Sequence, residues 1–256
     1  MKLERRYVEK PWGRTDLPPM FDAPAGKRIG EVWFNGEDDQ PLLVKYLFTS
    51  EPLSIQVHPN DEQARARGLP HGKSECWTIL EAEPGARLGL GLEHDVSEQA
   101  LRAAARDGSI EQLMNWRAVR AGDFFMVPSG TIHAVGAGIS LLEFQQNADV
   151  TYRLYDYGRA RELHLDDALA VGRREPYPEA LAQRLTGDDD RILVDGPHFV
   201  LVHSSRDALR DRQRWVMPLE GSARSSGETA RPGECLLVNP ADRVTVEGRV
   251  LIGAKP

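Results

Sequence analysis

The chain has 256 residues, 41% of them hydrophobic and 28% charged, with a formal net charge of −7. That acidic balance excludes the broad basic surface of a nucleic-acid-binding domain and leaves room for a local cationic pocket. No apolar run approaches the ~20 residues of a membrane span, no apolar stretch behind the charged Met1–Arg6 makes a secretory leader, and two distant cysteines, Cys76 and Cys235, make no disulfide framework. A reducing, cytoplasmic setting is expected.

The first forty residues alternate short apolar pieces with Pro and Gly, as in Pro11-Trp12-Gly13 and Pro18-Pro19. Strands are expected at 29–34, 41–48, 53–58, 74–80 and 86–92, with a turn over Asn35–Asp39 from its Asn-Gly pair. The convincing helical block is 96–116. Ser97 caps it with Ala100 at N3, and Leu101, Ala104 and Ala105 follow at helical spacing. Asp107-Gly108-Ser109 breaks the block, and a second short helix is expected over Ile110–Asn115. β signals return at 124–127, 139–144 and 151–155. Residues 164–190 read as a weak helix followed by a polar linker, Thr186–Asp190. Short β runs then recur at 199–203, 214–219, 234–238 and 243–252, which predicts a mainly β chain built on barrels or sandwiches. The segment 122–128 is echoed at 233–240, as if one β-barrel were present twice, the second copy without polar ligands. Trp12, Trp33 and Trp77 are expected in the core, and Tyr152, Tyr155 and Tyr157 as packing or pocket wall.

Gln56 and His58 are two apart in a stretch of β-formers, so on a strand both project to one face. Glu75 follows in Lys73-Ser74-Glu75, and a Gly-x5-Pro-x-Gly-x2-His block from Gly122 ends on His133. Gln56, His58, Glu75 and His133 together offer two imidazoles, a carboxylate and an amide oxygen. That donor set suits Zn²⁺, and also Mn²⁺, Fe²⁺, Co²⁺ or Ni²⁺, with room left for water or substrate oxygens.

The Gly-x5-Pro-x-Gly-x2-His block resembles the second motif of the cupin superfamily. The stretch 53–61, Gly72-Lys73-Ser74-Glu75-Cys76-Trp77, Pro128–Ala134 and the block 143–159 resemble class I mannose-6-phosphate isomerases over Pro11–Arg159, more than half of the chain. The resemblance implies a cupin (jelly-roll) β-barrel with a reduced helical insertion, and a second, degenerate cupin-like barrel. The division it suggests is 1–160 for the metal-binding domain, 161–190 for helix and linker, and 191–256 for the degenerate domain. It implies one Zn²⁺ per chain on Gln56, His58, Glu75 and His133, and carries Lys73, Arg153 and Glu143 over as active-site residues. Ala148 departs from the family's usual serine.

The activity so implied is interconversion of mannose 6-phosphate and fructose 6-phosphate through an enediol, with a small sugar phosphate as partner and a monomer or weak homo-oligomer as the assembly. Arg153 would stabilise the enediolate. The proton-transferring base stays open between Lys73, Glu143 and a metal-bound water. Basic residues at Arg65, Arg67 and His71, and at Arg159 and Arg161, are candidate phosphate anchors. The competing readings are a cupin that binds a sugar or sugar phosphate without turnover, an isomerase of an unphosphorylated sugar, and an iron oxygenase. Gln56 in place of a histidine disfavours the last.

Overall fold

The computed structural model describes residues 1–35, 40–185 and 189–256. From Gly36 on, the expected turn at 35–39 lies outside the described residues, as do Thr186, Gly187 and Asp188 of the expected linker. The architecture is mainly β, with antiparallel ladders in each of two compact units. One unit comprises Met1–Phe48, Leu142–Asn147 and Gln183–Pro256; the other comprises Thr49–Leu141 and Ala148–Ala182. Contacts define these units, so they partition the chain differently from the sequential blocks 1–160, 161–190 and 191–256. No helix among the described residues is long and apolar enough to cross a membrane.

In the first unit, Glu4–Arg14 pairs antiparallel with Ile29–Asn35, which pairs with Leu42–Phe48. The long first strand has no counterpart among the expected strands. It is an edge strand whose residues stay exposed or half-buried as far as Lys10, and register shifts interrupt it around Glu9. An edge strand with two polar faces carries no apolar alternation for a sequence reading to find. Trp12 is buried as expected, whereas Trp33 is only half-buried and lies between the cations of Arg6 and Lys45. The second sheet of this unit runs Arg191–Asp195, Val200–Ser204, Thr245–Ala254, Arg214–Ser225, Glu228–Ala230, with Leu236–Val238 also paired to Arg214–Ser225.

The sequence echo has a backbone counterpart. In Arg120-Ala121-Gly122-Asp123, the Asp123 amide donates to the Arg120 carbonyl and the Asp123 carboxylate accepts from the Arg120 amide. Arg231-Pro232-Gly233-Glu234 repeats both bonds with Glu234. The glycines have φ of 86° and 85°, the left-handed conformation that the third residue of such a turn requires.

In the second unit, a five-stranded sheet has the order Tyr152–Tyr155, Ile55–Val57, His133–Val135, Arg87–Leu92, Met114–Ala118, and Glu75–Ala82 pairs with Asp123–Val127. The helix Glu98–Asp107 begins as expected, with Ser97 Oγ accepting from the Ala100 amide at 3.2 Å, and ends on Gly108 at φ 84°. The following helix covers only Ile110–Leu113. Met114–Ala118 is a strand, paired through Trp116 to Gly89, which corrects the helix expected to reach Asn115. Met114, Asn115, Trp116 and Arg117 alternate apolar and polar, a period of two that ends the helix.

Leu101, Ala104 and Ala105 of the long helix pack in one cluster with Ile55, Val57, Ala134 and Leu154. Those are the side chains alternating with Gln56, His133 and Arg153 along their strands, so the cluster backs the face opposite the candidate ligands. Leu101→Ala is expected to cost about 2–5 kcal/mol through the cavity it leaves, read as a lowered urea midpoint at unchanged slope.

Candidate metal centre

The site is assembled around a short stretch of backbone, 58–61. Asn60 caps the helix Asp61–Arg65 in a reciprocal box with Gln63, which sets the direction of the chain just after His58. The Pro59 carbonyl accepts from the Lys73 amide at 3.0 Å, and Asp61 Oδ1 accepts from the Gly72 amide at 2.8 Å. The approach is so close that a Cβ on Gly72 would lie 2.4 Å from the Pro59 oxygen and the Asn60 carbonyl carbon. The His58 carbonyl accepts from the Gly130 amide at 2.8 Å, drawing in the turn that delivers His133. Sequence reading missed this hub, although the Asn-x-x-Gln box that signals it is local.

Three side chains converge. The ligating atoms of His58, Glu75 and His133 lie within 4.8 Å of one another, and all three residues are buried. Glu75 Oε2 is 3.5 Å from His58 Nε2, and Oε1 is 3.3 Å from His133 Nε2. Each imidazole is oriented from behind. His58 Nδ1–H donates to the Val150 carbonyl at 2.7 Å, and His133 Nδ1–H donates to the Thr131 carbonyl at 2.8 Å. Both bonds fix the tautomer that leaves the Nε2 lone pair facing Glu75.

Electrostatics keep the donors unprotonated. Burial, then Lys73, lowers His58 to about 3, and burial lowers His133 as well. Burial by itself would raise the Glu75 carboxyl, but Lys73, followed by His58, holds it well below the usual carboxylate range. The Lys73 Nζ lies 2.8 Å from Glu75 Oε2 and 3.3 Å from His58 Nε2. Two neutral imidazoles and an ionised carboxylate are the ligand states a divalent cation needs.

Gln56 completes the row. The ladder pairs Gln56 with His133 on one side and with Arg153 on the other, so the three side chains stand on one face of adjacent strands. Gln56 Nε2 is 3.3 Å from His133 Nε2, and Ser54 Oγ donates to its Oε1 at 3.0 Å. Arg153 is half-buried, and its Nε makes no hydrogen bond among the described residues. Burial, then Arg161, pushes its guanidinium below its ordinary range.

The other expected residues are placed variously. Glu143 belongs to the first unit, where its Oε1 lies 3.6 Å from Lys45 Nζ with both side chains buried. Arg65 is exposed at the end of its helix. His71 Nδ1 meets the Gly72 carbonyl at 3.0 Å. Arg67 pairs with Asp167, and Arg161 grips both oxygens of Asp156 at 2.6 Å. Arg159 is tied to the Pro52 carbonyl at 2.5 Å and to Asp156 at 3.2 Å. Tyr152 is core, and Tyr155 packs against the same cluster.

No family model matches the chain. Two curated relatives are similar to it: the mannose-6-phosphate isomerase of Streptococcus mutans, 40% identical over 63% of this chain and 53% of its own length, and the mannose-6-phosphate isomerase ManA of Bacillus subtilis, 43% identical over 68% of each. The chain thus spans only 53% of the first relative and 68% of the second. Among solved structures, the mannose 6-phosphate isomerase from Bacillus subtilis superposes with a TM-score of 0.81 at 26% identity, covering 100% of this chain and 99% of that one. The fold is also that of a putative mannosephosphate isomerase from Archaeoglobus fulgidus, with a TM-score of 0.79 at 17% identity over 100% and 97% of the two chains.

Metal analysis is expected to find about one divalent ion per chain, lost in His58→Ala and in His133→Ala. Because His58 stays neutral down to about 3, proton competition for its lone pair sets in only well below the usual histidine range. Affinity measured by chelator competition is therefore expected to stay nearly flat from about pH 7 to about pH 5, where an exposed histidine pair would already be losing its metal.

Proposed function

The chain belongs to the mannose-6-phosphate isomerase family, and on that premise we propose that it interconverts mannose 6-phosphate and fructose 6-phosphate at a zinc centre held by Gln56, His58, Glu75 and His133. The observation that carries the reading is the buried cluster of two tautomer-locked imidazoles and one ionised carboxylate, with Lys73 against it. The donor set fits Zn²⁺, which accepts nitrogen and carboxylate oxygen together and keeps a position open in catalytic sites. For Gln56 to serve as a ligand its oxygen has to face inward, a half-turn of the amide that exchanges Oε1 and Nε2. When bound, such an ion polarises the carbonyl and hydroxyl oxygens of the sugar as a Lewis acid.

The reaction moves a proton between C2 and C1 through an enediol, and negative charge develops on oxygen as that proton leaves. Arg153, fixed in the same row as Gln56 and His133, supplies positive charge to meet it. Its half-buried position strengthens the interaction by excluding water. The Lys73 ammonium beside Glu75 is suited to donating hydrogen bonds to substrate oxygens. Lys73 is thus divided between oxygen contact and proton transfer. Glu143 stays one of the candidates for the proton-transferring base, on the family resemblance alone. Of the anchors considered for the phosphate, Arg65 and His71 carry fewer ties than Arg159, whose guanidinium is engaged with Pro52 and Asp156. A cytoplasmic monomer or weak homo-oligomer completes the reading.

A coupled assay is expected to show turnover of mannose 6-phosphate that chelation abolishes and zinc restores, with free mannose turned over far more slowly. Full turnover by metal-free protein would overturn the scheme, and preference for free mannose would favour an isomerase of unphosphorylated sugar. Arg153→Ala is expected to retain the metal and lose about 10²-fold or more in kcat, the scale of removing one donor to a developing oxyanion.

A further inference from the structure

Within the second unit is a cavity of about 340 Å³ that the metal chemistry does not use. Its walls include Glu83, Arg87, Glu111, Trp116, Gly136 and Tyr157. The cavity belongs to the other face of the five-stranded sheet. Along the strand His133–Val135, His133 faces the metal ligands. Ala134 turns to the apolar cluster against which Trp116 packs, and Gly136 falls in phase with Ala134.

We propose that this cavity is a second binding site, taking a neutral polyhydroxylated ligand of monosaccharide size. Its aromatic walls are held in place. Trp116 Nε1 donates to the Glu111 carbonyl at 2.8 Å, and the Arg87 guanidinium lies 4.9 Å from the centre of the indole. Tyr157 meets Tyr155 edge-on at 5.1 Å between ring centres. The Tyr157 hydroxyl is buried and makes no hydrogen bond among the described residues. A buried phenol without a partner is costly, so a ligand that bonds to it recovers the loss. Tyr157 also has φ of 53°, a left-handed conformation uncommon outside glycine, and such strain concentrates at ligand sites. The close approach of Gly136 to Arg87 sets one wall, because a Cβ there would lie 2.4 Å from the Arg87 oxygen.

The wall chemistry selects the ligand class. Two carboxylates, Glu83 and Glu111, face the Arg87 guanidinium, and the Arg159 guanidinium lies 5.4 Å from the centre of the Tyr157 ring, so the surroundings carry no net charge and give phosphate or carboxylate on the ligand no advantage. Carboxylate acceptors, a guanidinium donor and a free phenol match a ring of hydroxyls, while the faces of Trp116 and Tyr157 match its C–H side. The volume lies at the lower end of small-molecule pockets.

The test uses calorimetry and ligand-observed NMR with D-glucose and D-mannose on the full chain, and on His133→Ala, which disables the metal centre. Saturable binding of a free hexose to both proteins is expected, weakened about tenfold in Tyr157→Phe and in Trp116→Ala, the scale of one buried hydrogen bond or ring contact. Tyr157→Phe keeps the ring, so it reports the hydroxyl even if the tryptophan variant fails to fold. No saturable binding, or binding lost in His133→Ala, would overturn the proposal. So would a preference of the His133→Ala protein for an anionic probe, mannose 6-phosphate, or a cationic one, putrescine, over the free hexoses. None of these results depends on isomerase activity.

Discussion

The site depends on one constraint: the stretch from His58 to Asp61 has to receive two other segments, the one at Gly72 at the van der Waals limit. From one side the Lys73 amide donates to the Pro59 carbonyl and the Gly72 amide to the Asp61 side chain, and from another the Gly130 amide donates to the His58 carbonyl. Each of those residues is two or three positions from a side chain that matters. Glu75 follows Lys73 by two, and His133 follows Gly130 by three, so anchoring the main chain fixes where the carboxylate and the second imidazole arrive. Glycine is needed at 72 because any Cβ would collide with backbone, which cannot move aside as a flexible side chain would. Of the candidate ligands only His58 lies outside a strand; Gln56, Glu75 and His133 sit on strands, and the segments entering those of Glu75 and His133 are hydrogen-bonded to the stretch 58–61 and hence to a rigid sheet.

That sheet separates two chemistries by its pleat. On one face stand Arg153, Gln56 and His133 in register across three strands; on the other stand Ile55, Val57, Ala134 and Leu154, packed beneath the helix Glu98–Asp107. The apolar face drives folding, and the polar face is held in place by it. The same separation sets the electrostatic balance. Glu75 is buried with Lys73, so the carboxylate is compensated before any cation binds. The polar face then sets two cationic side chains, Lys73 and Arg153, against the one carboxylate of Glu75, which favours anionic groups there.

Much of this was legible in the sequence, for physical reasons. Gln56, His58, Glu75 and His133 could be grouped because a strand's period of two and a glycine-proline turn are local rules. The structure brings His58, Glu75 and His133 together and sets Gln56 beside His133. Ser97 and Gly108 marked the ends of the long helix because capping is equally local. The edge strand Glu4–Arg14 was not legible, since neither of its faces is consistently apolar. Nor was the partner of Glu143: a buried pair with Lys45 joins residues far apart in the chain, and only tertiary packing brings them together. The helix expected to reach Asn115 failed where Trp116 found a strand partner in Gly89, a case of sheet pairing overriding helix propensity.

The repeated turn bears on how the two units use their buried polar groups. Arg120–Asp123 and Arg231–Glu234 share the same hydrogen bonds and the same left-handed glycine, so the local instructions for the turn were kept in both. The segments beyond the two turns differ. After the first come Pro128, Gly130 and His133; after the second, Leu236–Val238 faces an apolar cluster with Val216, Val250 and Ile252. Polar groups buried in the second setting serve the protein itself: Arg214, fully buried, gives its donors to Asp207 and to the carbonyls of Arg212, Asn239 and Asp242. A guanidinium satisfied in this way needs no ligand. The centre at His58, Glu75 and His133 is the opposite case, with two lone pairs and a carboxylate turned toward one another and the Lys73 ammonium beside them. Buried acceptors facing each other are stabilised by a cation, so the same turn serves packing in one unit and cation binding in the other.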